Sequence, residues 1–178
     1  MKDMIFLQGF VVCFVSFALS IWLKEIFQIM VKNDDLANTY SMGIILTMSY
    51  AYKPMYTAMA TVFYYHEKTK EFWKISFIGG LINISLNIIF IPIYGYKVAV
   101  FTTFLSFLYI GFSGFLVTSF KKIYPYDFKP FMWIVYIFIL LFISYSFKDS
   151  SYPIKLVLTL ILFIFTIIKS NTLIKKIK

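Results

Sequence analysis

Residues 75–120 decide the fold of this chain and read ISFIGGLINISLNIIFIPIYGYKVAVFTTFLSFLYIGFSGFLVTSF. Two apolar runs flank a short connection at residues 92–96, and Lys97 is the only charged residue between Lys74 and Lys121. Each run is about long enough to cross a bilayer hydrocarbon core of roughly 30 Å. The stretch therefore predicts a transmembrane helical hairpin, against which the rest of the chain packs further helices.

The overall composition also indicates an integral membrane protein. Of the 178 residues, 61% are hydrophobic and only 14% are charged, and the mean hydropathy is +0.82. A water-soluble domain needs more polar surface than this. All 17 cationic residues are lysines, and they lie at the ends of apolar runs, where they meet lipid headgroups, and not on a basic face suited to nucleic acid. The sequence predicts membrane lipids, and no nucleic acid, as partners.

The apolar runs predict about six spans, at residues 4–23, 39–65, 75–91, 98–120, 131–147 and 153–168. Backbone groups inside lipid must be bonded internally, so each span is predicted to be a helix. The connections, of which residues 32–36 are the most acidic, are too short to hold a soluble domain. We therefore expect residues 1–178 to form a single all-α domain, a polytopic transmembrane helix bundle.

The lysines are distributed unequally between the two sides of these spans. Placing both termini on one side collects eleven lysines there and leaves five on the other, with Lys53 inside the membrane. The positive-inside rule makes the lysine-rich side cytoplasmic. The sequence predicts a multi-pass protein of the plasma (inner) membrane with both termini in the cytoplasm.

Small and polar residues recur at helical spacing in the first four spans, in steps of four, three and four that place each set on one helix face. The sets are Gly9, Cys13, Ser16 and Ser20; Ser49, Lys53, Tyr56 and Ala60; Ser76, Gly80, Asn83 and Asn87; and Thr102, Ser106, Tyr109 and Ser113. Such residues are the usual contacts between closely packed membrane helices. The alternative interpretation is that four helices line a shared polar cavity.

Lys53 is the residue that distinguishes these interpretations best. An ammonium group near the bilayer midplane costs roughly 2.5 to 3.5 kcal/mol to insert, so it should face protein or water. Pro54 cannot donate to the carbonyl of Tyr50, which predicts an irregular helix at this point. A cation with tyrosines nearby suits an anionic phosphate or a sugar. The other interpretation is a lysine that extends along its stem to the interface.

The sequence contains no motif typical of an enzyme. Cys13 is the only cysteine and His66 the only histidine, so the spacing needed for a metal site is absent. No nucleophile elbow, phosphate-binding glycine loop or paired acidic motif is found. We expect a protein without catalytic residues, metal or cofactor.

The hairpin resembles a known family of transporters. Asn83 and Asn87 stand four residues apart, an apolar run leads to Pro92, Gly95 follows the aromatic turn, and Thr102 is among the small residues of the next span. This order and spacing is similar to the C-terminal region of polysaccharide-exporting (O-antigen type) flippases of the multidrug/oligosaccharidyl-lipid/polysaccharide exporter superfamily. The resemblance covers nearly the whole chain.

The resemblance implies translocation of a lipid-linked oligosaccharide across the cytoplasmic membrane during surface polysaccharide biosynthesis. Family members have twelve or fourteen spans in two lobes, so we expect this chain to supply one lobe or part of it, as a fragment or as half of a split transporter with a separately encoded N-terminal lobe. The implied substrate-binding residues are Lys53 for pyrophosphate, Tyr52 and Tyr56 for stacking, and Asn83 and Asn87 for sugar hydroxyls.

Two other functions remain open at this point. One is a structural or assembly subunit that completes another membrane protein, or a nonfunctional fragment. The other is a small-molecule exporter of the same superfamily, against which the lack of acidic residues in mid-span argues mildly.

Overall fold

The computed structural model describes residues 2–33, 38–123 and 128–177. These residues form helices and short connections, and no β-strand occurs among them. The predicted all-α bundle is confirmed. Most of the acidic connection expected at residues 32–36 lies outside the described residues, as does Lys178, one of the lysines used to predict orientation.

Nine α-helices follow one another along the described chain. They are α1 (Lys2–Ile21), α2 (Leu23–Met30), α3 (Tyr40–Ser49), α4 (Lys53–Tyr65), α5 (Thr69–Tyr94), α6 (Ala99–Phe112), α7 (Thr118–Ile123), α8 (Pro130–Ser146) and α9 (Tyr152–Ile177), with 3₁₀ turns at Tyr50–Tyr52, Tyr96–Val98 and Ser113–Leu116.

Four helical stretches are long and apolar enough to cross a membrane: Lys2–Ile21, Thr69–Tyr94, Tyr96–Leu116 and Tyr152–Lys176. Helix α8 is also apolar but shorter. The stretch from α3 to α4 is divided by its 3₁₀ turn into two shorter helices. This set fits a multi-pass membrane protein, while six spans remain a prediction.

Helix α1 lies at the centre of the bundle. It contacts α3, α4, α8 and α9, and α6 packs against α3 and α4 in turn. Helix α5 pairs mainly with α6, and α9 mainly with α1. In both α5 and α9, only 11% of the most apolar stretch is buried. The predicted hairpin is therefore present, but its first helix forms an edge of the bundle and α1 is the central element.

The small-residue stripe of α1 is a packing surface. Cys13 and Ser20 are completely buried, and Ser16 nearly so. The Ser20 hydroxyl donates to the carbonyl of Ile44 in α3, and the indole of Trp133 in α8 approaches Gly9 so closely that a Cβ there would lie 2.6 Å from Cη2. For this stripe the structure supports helix packing and not a cavity wall.

Two details of the predicted spans are corrected. Helix α5 continues through Pro92 to Tyr94 and ends at Gly95, whose φ of +75° is a left-handed conformation that glycine adopts without a steric penalty. It also begins at Thr69, so the loop before it is shorter than expected. At the Lys53–Pro54 interruption the chain forms a 3₁₀ turn, and the carbonyl of Tyr50 accepts a hydrogen bond from the amide of Lys53. The carbonyl to which Pro54 cannot donate is thus bonded by the amide of Lys53.

Candidate functional site

The candidate site begins where α3 gives way to α4. Pro54 occupies the first turn of α4, where a missing amide hydrogen costs little. The helical stretch from Tyr40 to Tyr65 places Lys53 about 13 residues from either end, or about 20 Å at 1.5 Å per residue. Lys53 therefore lies near the middle of this helical stretch, which the sequence predicts to be a membrane span.

Lys53 is exposed, and so is the helix face that carries it. Thr57 and Thr61 follow at four-residue intervals on the same face and are exposed too. Their hydroxyl groups donate to the backbone, from Thr57 to the carbonyl of Lys53 and from Thr61 to that of Thr57, each at 2.9 Å. Among the described residues, the Lys53 ammonium has no hydrogen bond or ion pair. Its charge therefore still requires water or a polar partner.

The two tyrosines predicted to stack on sugars are half-buried. The ring of Tyr52 lies 5.0 Å from that of Phe107 and 6.1 Å from that of Tyr56, and Tyr52 also covers Gly111 in α6. Tyr56 packs on Phe72 of α5 at 5.4 Å. These rings connect α4 to α5 and α6.

Tyr50 is the better exposed ring. It is 53% exposed, and it precedes Lys53 by three residues, a spacing that places both on one helix face. The sequence placed Tyr50 near Lys53 but gave the stacking role to Tyr52 and Tyr56. Which of the three tyrosines remains most exposed depends on the positions of α5 and α6, whose Phe72 and Phe107 contact Tyr56 and Tyr52. The local sequence pattern does not contain these positions.

The two predicted asparagines lie in a hydrogen-bonded network between α5 and α6. The amide of Asn83 donates to Thr103 Oγ1 at 3.3 Å, and that of Asn87 donates to Asn83 Oδ1 at 3.1 Å. The Thr102 hydroxyl donates to Asn87 Oδ1 at 2.5 Å and shares its hydrogen with the carbonyl of Ala99 at 2.9 Å. The network joins the two helices of the hairpin.

The structure thus brings four of the five predicted site residues together in two pairs. Tyr52 and Tyr56 touch each other, and Asn83 and Asn87 bond to each other, but no hydrogen bond joins Lys53 to either asparagine within the described chain. Their role in substrate binding stays a prediction. No cluster of three or more histidine, cysteine or acidic side chains that could hold a metal occurs among residues 2–33, 38–123 and 128–177.

A charged cluster just after the C-terminal end of α1 was not predicted from the sequence. Lys155 of α9 is completely buried, and its ammonium lies 2.5 Å from Oε1 of Glu25 in α2. Nearby, Asp149 accepts hydrogen bonds from Lys24 at 2.5 Å and from the Tyr40 hydroxyl at 2.7 Å. The sequence contains one signal for this cluster. Charged residues follow the first apolar run, residues of opposite charge precede the last one, and both groups lie on the same predicted side of the membrane.

Trp22, between α1 and α2, makes two further contacts with α9. The indole of Trp22 donates to Thr159 Oγ1 at 3.3 Å, and its ring stacks on Tyr152 with the centroids 6.1 Å apart. These contacts hold the turn between α1 and α2 against α9. The cluster therefore fixes the short helix α2 to the last helix of the chain.

Comparison with known proteins does not assign this chain to a family: no family model, no curated protein and no solved structure matches it.

Proposed function

We propose that this chain forms part of a membrane carrier that moves a lipid-linked oligosaccharide from one leaflet to the other, with Lys53 contacting the phosphate. The observation that supports the proposal best is the uncovered ammonium of Lys53, near the middle of a helical stretch of 26 residues. The resemblance of the α5–α6 hairpin to polysaccharide flippases supplies the substrate class.

The physical argument concerns what can cover this face. Lipid tails would leave the ammonium unsolvated, at a cost of roughly 2.5 to 3.5 kcal/mol. Water or a polar partner removes this cost, and a phosphate group adds charge-assisted hydrogen bonds. Tyr50, on the same face, offers an exposed ring for an adjoining sugar. A polar compartment would provide suitable surroundings for the side chains of both Lys53 and Tyr50. Helices α3 and α4 would form one wall of this compartment, and a second membrane domain would close the opposite side.

The test replaces Lys53 in cells whose surface polysaccharide depends on this chain. We expect Lys53→Ala and Lys53→Gln to abolish polysaccharide display while the protein stays at normal abundance in the membrane, and Lys53→Arg to retain part of it. Lys70→Ala, which removes an exposed lysine near the start of α5, is the matched control and should leave display unchanged. Normal display in Lys53→Ala cells would overturn the proposal.

A structural or assembly subunit is the second candidate, and the bare edges of the bundle favour it. Helices α5 and α9 expose large apolar side chains along most of their length, and such faces suit a membrane protein partner as well as lipid. In this case a stable complex with another membrane protein should form, and it should survive Lys53→Ala without loss of activity. A carrier, in contrast, loses transport in this variant even when the complex forms.

A further inference from the structure

A groove of about 470 Å³ lies between the start of α1, the start of α8 and the end of α9. Its floor is aromatic: Phe6 and Phe10 come from α1, Trp133 and Tyr136 from α8, and Phe165 from α9. The rings of Phe10 and Trp133 are 5.0 Å apart, and those of Phe10 and Phe165 are 6.0 Å apart. The floor therefore presents a continuous apolar surface contributed by three helices.

The mouth of the same groove is cationic. Lys129, Lys169 and Lys176 line it, together with Thr172, and no acidic residue is among the lining residues. Lys169, Thr172 and Lys176 are spaced by three and four along α9, which places them on one helix face. The groove thus combines an apolar floor with a mouth that attracts anions.

The lysines at the mouth are held in different ways. Lys169 lies over the ring of Phe165, 5.6 Å from its centroid, and Lys129 directly precedes Pro130 at the start of α8. Lys2 lies 5.5 Å from the centroid of Phe6 and adds a further cation near the floor. Neither Lys169 nor Lys176 forms an ion pair with a described residue, so both ammonium groups are available to an external anion.

We propose that this groove binds one anionic glycerophospholipid, of the phosphatidylglycerol type, from the leaflet on the side of the chain termini. The headgroup phosphate lies at Lys169 and Lys176, and an acyl chain lies on the aromatic floor. Helices α1 and α9, which form two of its walls, are long and apolar enough to cross a membrane, so acyl chains would lie beside these walls. The site shares no residue with the face of Lys53, so the proposal stands independently of transport.

Charge complementarity favours a lipid over other occupants. A soluble phosphate has no group to cover five aromatic rings, and an uncharged apolar helix has no use for the lysines. A lysine near a membrane surface strengthens the binding of anionic lipid by about fivefold. The combination of the two features in one groove matches a molecule with a phosphate at one end and hydrocarbon at the other.

The test measures quenching of Trp133 by lipids with brominated acyl chains. Trp133 is one of three tryptophans and the only one in the groove, so the full chain carrying Trp22→Phe and Trp73→Phe is reconstituted in vesicles of phosphatidylcholine and phosphatidylglycerol. We expect brominated phosphatidylglycerol to compete for the site at least about fivefold better than brominated phosphatidylcholine. Inorganic phosphate at millimolar concentration should not remove this preference.

Two double variants carry the same change in charge. Lys169→Gln with Lys176→Gln should reduce the preference to within about twofold, whereas Lys121→Gln with Lys122→Gln, in α7 and outside the groove, should leave it unchanged. Equal quenching by the two lipids in the parent protein would refute the proposal. This measurement needs no lysine variant. An equal loss in both double variants would also refute it, because it would show a general surface-charge effect. Absence of quenching by either lipid would show that protein covers the groove.

Discussion

The Nζ atom of Lys155 lies 2.5 Å from Oε1 of Glu25, although 130 residues separate them in the sequence. Lys155 is fully buried, and Oε2 of Glu25 is buried with no hydrogen-bond partner of its own. The pair joins α2 to α9, two helices that are far apart in the sequence. Each charge depends on the other, because taking either out of water alone is costly.

Removing one member of this pair should destabilise the protein strongly. We expect Lys155→Met to lower the free energy of unfolding by about 3 kcal/mol, since it leaves the Glu25 carboxylate buried and unpaired. The double variant Glu25→Leu with Lys155→Met should lie within about 1 kcal/mol of the parent protein, because no charge remains to be compensated. Unfolding by SDS titration in mixed micelles measures both. A double variant less stable than Lys155→Met would show that the pair is not what matters at this position.

The second ion pair of this region should contribute less, and its contribution should depend on pH. Hydrogen bonds, from Lys24 first and from Tyr40 second, hold the pKa of Asp149 below its usual value of 3.8. The folded state therefore gains stability that is fully present above the unfolded pKa and is lost as the pH falls through the lower folded pKa. Because Asp149 is half exposed, we expect less than about 1 kcal/mol.

The measurement for Asp149 compares thermal unfolding of the parent protein with that of Asp149→Asn at several pH values. The difference in Tm should be constant above about pH 5 and should close as the pH falls below about 4. Lys148→Gln, which removes a more distant cation at 3.8 Å from the same carboxylate, should change this profile less than Lys24→Gln. A Tm difference that widens in acid would contradict the assigned sign.

The asparagine network offers a test between a structural role and a role in binding. We expect the double-mutant cycle of Asn87→Leu and Thr102→Val to give a coupling energy of about 0.6 kcal/mol, the usual size for hydrogen bonds between membrane helices. Thr102 keeps an acceptor in the carbonyl of Ala99, so the single variant Asn87→Leu should fold normally. Zero coupling combined with lost transport in folded Asn87→Leu would instead assign Asn87 to the substrate.

Local patterns in the sequence predict most helices of this fold. Long apolar runs predict α1, α5, α6, α8 and α9, because only internally bonded backbone is stable in lipid. The turn at Gly95 and the irregularity before Pro54 follow from the backbone restrictions of glycine and proline. The central position of α1 does not follow from any local pattern, because it depends on how all the helices pack together.

The candidate site is less predictable for the same reason. Helical spacing groups Lys53 with Ser49, Tyr56 and Ala60, yet Ser49 and Ala60 are buried while Lys53 is exposed. Spacing alone does not reveal which face the other helices cover. The stripe of α1 and the face of Lys53 have similar spacing, yet the first is buried and the second is exposed. Contacts between residues far apart in the sequence, such as Glu25 with Lys155, leave little signal in the local sequence. Only the opposite charges of the two residues and their predicted position relative to the membrane point to such a contact.

Two adjacent glycines of α5 allow a direct test of the hairpin interface. A Cβ at Gly79 would lie 2.6 Å from Cδ1 of Ile110 and would overlap Cγ1 of the same side chain, whereas a Cβ at Gly80 meets no atom within 4 Å. We expect Gly79→Ala to lower the free energy of unfolding by about 1 to 3 kcal/mol, because Ile110 or the helix must move. Gly80→Ala should raise it by up to about 1 kcal/mol, through the better helix propensity of alanine. SDS titration of both variants measures the difference, and partial restoration of Gly79→Ala by Ile110→Ala, which removes both Cγ1 and Cδ1, would identify the overlap as its cause. Equal effects of the two alanines would mean that α5 and α6 do not pack as closely as the structure shows.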